Sequence, residues 1–381
     1  MLASASSRLQ AIDALRGLVI VIMLLDHVRE TFFLHRQVTD PMTLNDTEPA
    51  LFWSRMLAHL CAPVFVLLTG LSAYLFCQKN QSLPETRRFL IKRGLFLIVL
   101  ELTLVNFAWT ASFPPDVIYL QVIWAIGFSM LALALLSGLP NLLQLLLALL
   151  IIFGHNLLDS INLTAWPLLQ PLWFILHERG WLELGSIRLR TSYPVLPWIG
   201  VILLGYQLGR LFNRNTSPSL RNRRLLQIGV ASLLGFGLLR AINRYGDQPW
   251  LAMPSVSDSV MSFFNLTKYP PSLFFILLTV GMGLLLLVAF DRYSRSKALK
   301  PLIVFGSVPM FFYLIHLYAL KLLYLLCTVI WQPETGTLLH VDQVSTLWLI
   351  AALLALGLYP AVAWFSRVKQ RNPQMHWLRY F

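Results

Sequence analysis

Residues 11–30 read AIDALRGLVIVIMLLDHVRE. Twenty helical residues, at 1.5 Å of rise each, cross a hydrocarbon layer of about 30 Å. The run is apolar apart from Asp13, Arg16, Asp26, His27, Arg29 and Glu30. Each ionisable group inside a span costs roughly 2.5–3.5 kcal/mol on insertion scales, so such a load needs a reason. Arg16 and His27 are eleven positions apart. That separation is about 16.5 Å of rise and three turns plus ~20°, which puts both on one helix face. Asp13 and Glu30 fall within about 60° of the same line. One stripe therefore carries an arginine toward one end and an imidazole toward the other. The segment is expected to stay in the mature chain, because polar groups break its apolar centre and no small-residue cleavage site follows.

The rest of the chain has the same character. Of 381 residues, 57% are hydrophobic and 12% charged, and the mean hydropathy is +0.66. Soluble domains carry about 25% charged residues. A folded chain of this size keeps roughly a quarter of its unfolded surface exposed, and water would not tolerate that surface here. The composition excludes a soluble nucleic-acid binder, despite a net charge of +13. It also excludes a secreted disulfide scaffold, a disordered tail and a coiled coil. Cys61, Cys77 and Cys327 lie in apolar runs with no zinc or redox spacing, so no metal site is expected from them. The expected class is all-α: a polytopic membrane bundle forming one domain over 1–381.

Ten runs qualify as spans: 11–33, 51–77, 89–108, 117–137, 141–158, 195–213, 224–243, 272–290, 301–328 and 345–366. Segment 163–177 is apolar but short and holds two prolines, which suits a re-entrant or interfacial piece. Twenty of the 30 Lys and Arg residues fall on one side. They occupy the N-terminal segment, loops 78–88, 210–224 and 291–300, the C-terminal tail and the adjoining helix ends. Positive charge stays inside, so both termini are expected in the cytoplasm. The outer loops 34–50, 156–194 and 244–271, with the adjoining start of the sixth span, carry Trp166, Trp173, Trp181, Trp198 and Trp250. These rings read as an interfacial belt or as a stacking platform for sugars. No solenoid repeat or inverted repeat is visible.

Three histidines fall in the outer halves of spans. His27 lies about 9 Å from the outer end of span one and His59 about 12 Å below the start of the antiparallel span two, so they can meet at one depth. His316, in span nine, reaches a similar level. Glu101 and Asn106 in span three and Gln121 in span four add polarity, and the set describes a hydrated cavity open to the outside. Imidazole is the natural proton acceptor at neutral pH, and a carboxylate can fix its tautomer. Asp26 adjoins His27 in sequence but points about 100° away, which leaves Arg29 and Arg55 as its other partners. The plainer reading of a membrane histidine is a helix–helix hydrogen bond.

These residues carry a resemblance. Span one is similar to the opening helix of integral-membrane acyltransferases, with its arginine–glycine pair at Arg16 and Gly17. Arg16 and His27 match the arginine–ten residues–histidine spacing of the sugar O-acyltransferase branch. HLCAPVFVLLTGLSAYLF (59–76), YPVLPWIGVILLGYQLG (193–209), NLTKYPPSLFF (265–275) and GSVPMFFYLIHLY (306–318) resemble, in order, the bacterial form of the heparan-alpha-glucosaminide N-acetyltransferase catalytic-domain family. The resemblance implies a multi-pass protein of the bacterial inner membrane. It implies transfer of an acetyl group from cytoplasmic acetyl-CoA to the amine or hydroxyl of a sugar or glycan presented on the other side. In the animal lysosomal members an asparagine stands where His27 falls here, and the proposed catalytic histidine lies in the following loop, where this chain has His35. The base is therefore ranked His27, then His59, then His35, with Asp26 and His316 as further catalytic candidates.

Coenzyme A carries several phosphate charges, which arginine binds well. Arg16, Arg87, Arg88 and Arg93 are the candidate contacts, Arg16 foremost because it lies within a span. Asn106, Tyr313 or Lys268 would steady the tetrahedral oxyanion. Acyl-histidine and direct transfer both stay open, as do a monomer and a homodimer. Membrane lipid is the surrounding partner. Two rivals stand beside this reading: a transporter or flippase for sugars or lipid-linked glycans, and a haem protein using His27, His59 and His316 as axial ligands.

Overall fold

The computed structural model describes residues 2–163, 165–213, 215–294, 296–332 and 339–381, with residues 2–9 and 376 described by backbone alone. Arg214 and Arg295, and the side chain of Arg8, counted above among the inner charges, lie outside it. The elements begin with α1 (Leu2–Phe32), α2 (Pro49–Ala58), α3 (Cys61–Asn80) and α4 (Leu83–Leu100). A π-helical turn, Glu101–Val105, leads into α5 (Asn106–Thr110), β1 (Val117–Leu120), α6 (Val122–Leu136) and α7 (Asn141–Gly154). Then come α8 (Gln170–Leu176), β2 (Trp181–Leu184), β3 (Ile187–Thr191), α9 (Leu196–Leu208), α10 (Pro218–Ile242) and α11 (Val256–Phe264). The chain finishes with α12 (Leu273–Arg292), α13 (Lys300–Ser307), α14 (Pro309–Trp331) and α15 (Val344–Arg371).

This is a mostly helical membrane protein. Among the described residues, six helical stretches are long and apolar enough to cross a bilayer: Pro49–Asn80, Asn141–Ser160, Pro218–Ile242, Leu273–Arg292, Pro309–Trp331 and Val344–Arg371. Val122–Leu136 and Leu196–Phe212 are apolar but shorter. The expected all-α class needs correction, because a three-stranded sheet is present in the order β1–β3–β2. β1 runs parallel to β3 with Val117 opposite Arg188, and β2 runs antiparallel with Leu182 opposite Leu189. The expected span 117–137 therefore starts as a strand, and only α6 is helical. A four-residue apolar run such as Val117–Leu120 has no period that separates strand from helix.

Proline interrupts the hydrogen-bond ladder of two expected spans. Pro63 has no N–H to donate to the carbonyl of His59, and α2 and α3 are separated at His59–Leu60 within the one helical stretch Pro49–Asn80. Pro309 disfavours helical geometry at the preceding residue. Val308 accordingly sits at φ −138°, ψ 54°, separating α13 from α14.

The chain divides into two compact units, residues 1–61 with 286–381, and residues 62–285. In the first, α1 packs on α2, α13, α14 and α15. A Cβ at Gly17 would overlap the Leu302 carbonyl, and one at Gly306 would overlap the Asp13 carbonyl. α1 and α13 therefore meet backbone to backbone, and glycine beside Arg16 is a steric requirement. In the second unit α4 packs on α6, and α9 on α6 and α7. Arg240 is buried there and donates to the carbonyls of Phe263 (2.9 Å), Gln248 (2.6 Å), Ser262 (3.2 Å) and Asn265 (3.1 Å), tying the segment after α10 to the helix end. Trp198 is fully buried, so it belongs to the core and not to the outer aromatic set.

Candidate functional site

His27, on the stripe of α1, meets His316 of α14 in the interior of the first unit. His27 Nδ1 and His316 Nε2 are 2.8 Å apart, with exposures of 8% and 0%. The other nitrogen of His316, Nδ1, lies 2.7 Å from the carbonyl of Phe312, one helical turn back. A carbonyl only accepts, so Nδ1 of His316 carries the proton. With both rings neutral, Nε2 of His316 then holds a lone pair and accepts from Nδ1–H of His27. The remaining lone pair of the couple lies on His27 Nε2. A backbone carbonyl on one helix thereby sets the tautomer of an imidazole on another. Tyr313, also buried, places its ring edge-on to both, with centroids 5.9 Å from His27 and 5.6 Å from His316.

The sequence paired His27 with His59 first. The structure brings His316 to it at hydrogen-bonding distance, while His59 sits buried at the α2–α3 break. Between these two nitrogens the haem reading does not fit. A ring–metal–ring arrangement needs about 4 Å between nitrogens at ~2.0–2.1 Å per metal–imidazole bond, and 2.8 Å is a direct hydrogen bond.

Asp26 accepts from Arg29 Nε at 2.9 Å, and Arg29 also reaches Glu30 at 3.1 Å. The ~100° offset from His27 thus ends at Arg29, one of the two partners expected for Asp26. Arg55 pairs instead with Asp40 at 3.6 Å, both side chains buried. That link between the segment after α1 and α2 was not legible as a pair, although each residue was visible. Arg16 bonds Asp13 at 3.2 Å and keeps 21% of its side chain exposed.

His35 is exposed after α1 and stands ring to ring with His340, centroids 4.1 Å apart, in reach of Asp342. Partial desolvation, then His340 and Arg36, pull its imidazole below the ordinary range, against Asp342. The bonds shown do not link it with His27.

The remaining candidates belong to the second unit. Arg87 donates to Ser137 Oγ at 3.3 Å, Arg88 is exposed, and Arg93 lies over the Phe89 ring at 5.9 Å. Asn106 holds β1 in place: its amide donates to the Val117 carbonyl at 3.0 Å and accepts from Tyr119 N–H at 3.1 Å. Glu101 is buried in the π-helical turn and accepts from Trp124 N–H at 2.9 Å. Lys268 is buried with its ammonium over the Tyr269 ring at 5.1 Å. A hollow of about 430 Å³ is lined by Trp173, Phe174, Arg179, Trp181 and Arg190, among others. Arg188 and Arg190 lie over the Trp181 ring at 4.3 and 5.0 Å.

Residues 8–237 match the family model described as heparan-alpha-glucosaminide N-acetyltransferase, catalytic. The match takes in His27 and His59 and ends inside α10, so His316 lies beyond it. No curated protein matches the chain.

Proposed function

The chain belongs to the heparan-alpha-glucosaminide N-acetyltransferase catalytic family, and on that premise we propose that it acetylates a sugar amine or hydroxyl at the outer side of the membrane with cytoplasmic acetyl-CoA as donor. The observation that carries this reading is the buried His27–His316 couple, whose lone pair sits on His27 Nε2. In the reaction His27 Nε2 takes the proton of the acceptor N–H or O–H as that atom attacks the thioester carbonyl. The new C–N or C–O bond forms, the C–S bond breaks, and the proton passes from His27 to the departing thiolate. His316 supports the transient imidazolium by accepting from Nδ1–H.

The residues present fit a thioester donor, since α1 offers Arg16 at its cytoplasmic end and the imidazole couple in its outer half. Arg16 holds a phosphate of the coenzyme. His59 is the second choice of base and Tyr313 the oxyanion donor. The bacterial inner membrane, with both termini in the cytoplasm, gives donor and acceptor their opposite sides.

The test is transfer of radiolabelled acetyl from acetyl-CoA to a panel of amino sugars and glycans by the purified protein in liposomes. Labelled sugar is expected from wild type and none above background from His27→Ala. Full transfer by His27→Ala would move the base elsewhere. Sugar uptake without acetylation would replace the enzyme with a transporter.

A further inference from the structure

We propose that His35, His340 and Asp342 form a divalent transition-metal site, zinc being the natural occupant, that clips the segment after α1 to the segment before α15. One ligand atom from each residue lies within 4.8 Å of the other two. The carboxylate of Asp342 is already 3.4 Å from His340 Nε2, beyond a normal hydrogen bond. The two imidazoles stand ring to ring with centroids 4.1 Å apart. As cations they would repel each other; as neutral ligands around one ion they would not.

Zinc takes imidazole nitrogen and carboxylate oxygen at ~2.0–2.2 Å, so neighbouring ligands in a tetrahedron stand about 3.3 Å apart. Drawing the three atoms in from 4.8 Å needs only side-chain rotation, and all three side chains are exposed. Solvent would supply the fourth ligand, as in zinc sites with three protein ligands.

The backbone of the site is independently fixed. Val341 N–H donates to the Phe32 carbonyl at 3.0 Å, setting the two segments in register. Buried Phe33 packs edge-on to the His35 ring at 4.7 Å. Two imidazoles and one carboxylate leave a bound dication partly uncompensated, and Arg36 adds to that positive charge. An affinity below that of a closed four-ligand site follows.

The experiment uses tag-free, chelator-stripped full-length protein in detergent, titrated with zinc and separately with cobalt. One zinc per chain is expected, with a visible cobalt absorption band that zinc displaces. His35→Ala and His340→Ala should each weaken binding at least tenfold, and Asp342→Asn by a smaller factor. Each variant is compared at equal metal-free melting temperature. Should a histidine variant fail to fold, Asp342→Asn still decides, because that side chain is 86% exposed. Substoichiometric uptake by wild type, or wild-type affinity in Asp342→Asn and in the folded histidine variants, would overturn the proposal. Failure of acetyl transfer would leave this metal readout untouched.

Discussion

Replacing His316 by leucine removes the acceptor of His27 Nδ1–H and leaves an apolar side chain in α14. His316 is fully buried, so water has no direct route to take its place. The lost interaction is a hydrogen bond from an imidazolium in the transition state, worth about 1.5–3 kcal/mol. At 1.36 kcal/mol per tenfold, kcat should fall by roughly 10- to 150-fold. The KM for acetyl-CoA should hold, because the role proposed for the couple is on the acceptor proton and not on the nucleotide. His316→Gln, whose amide oxygen can still accept, should recover much of the loss. The assay is initial rates in liposomes against both substrates, with size-exclusion profiles as the check on folding. A His316→Leu protein that folds normally and keeps kcat within twofold would refute the argument from the tautomer.

Three further outcomes follow from the packing and charges. Gly17→Val drives a side chain into the Leu302 carbonyl; at the ~1–3 kcal/mol typical of overpacking, the melting temperature should drop by several degrees, and an unchanged value would contradict backbone contact between α1 and α13. Arg16→Ala should raise the KM for acetyl-CoA severalfold with little effect on the acceptor's KM, and a change confined to the acceptor would sink the phosphate role. Asp40→Asn and Arg55→Met each break a buried pair, which costs about 3–5 kcal/mol. The double replacement should be less damaging than the sum of the two in thermal unfolding, and strict additivity would deny the pairing.

The stripe on α1 was legible because helical period alone fixes which residues share a face, and Arg16 and His27 need no partner to reveal it. Their surroundings were less so. His316 is 289 residues from His27, and depth along two helices matches many pairs equally well. Periodicity could therefore name His59 and His316 as candidates but not choose between them. The arginine–glycine pair was visible, yet its steric reason is the backbone of a helix near the other end of the chain. β1 was hidden because its four apolar residues merge with α6 into one hydrophobic run. Asn106 looked like a polar group awaiting a substrate; strand β1 takes both ends of its amide. The Asp40–Arg55 pair and the ring contact of His35 with His340 depend on segments that hydropathy treats only as loops.

In the proposed reaction His27 Nε2 is the atom that meets the acceptor at the thioester. A cryo-electron-microscopy map of the protein with a non-hydrolysable acetyl-CoA analogue and a sugar acceptor tests that claim most directly. The predicted result is a carbonyl carbon within about 3–3.5 Å of the acceptor atom, that atom within hydrogen-bonding reach of His27 Nε2, and a coenzyme phosphate at Arg16. An analogue whose carbonyl lies beside His59 or His35, with the His27–His316 couple out of reach, would contradict it.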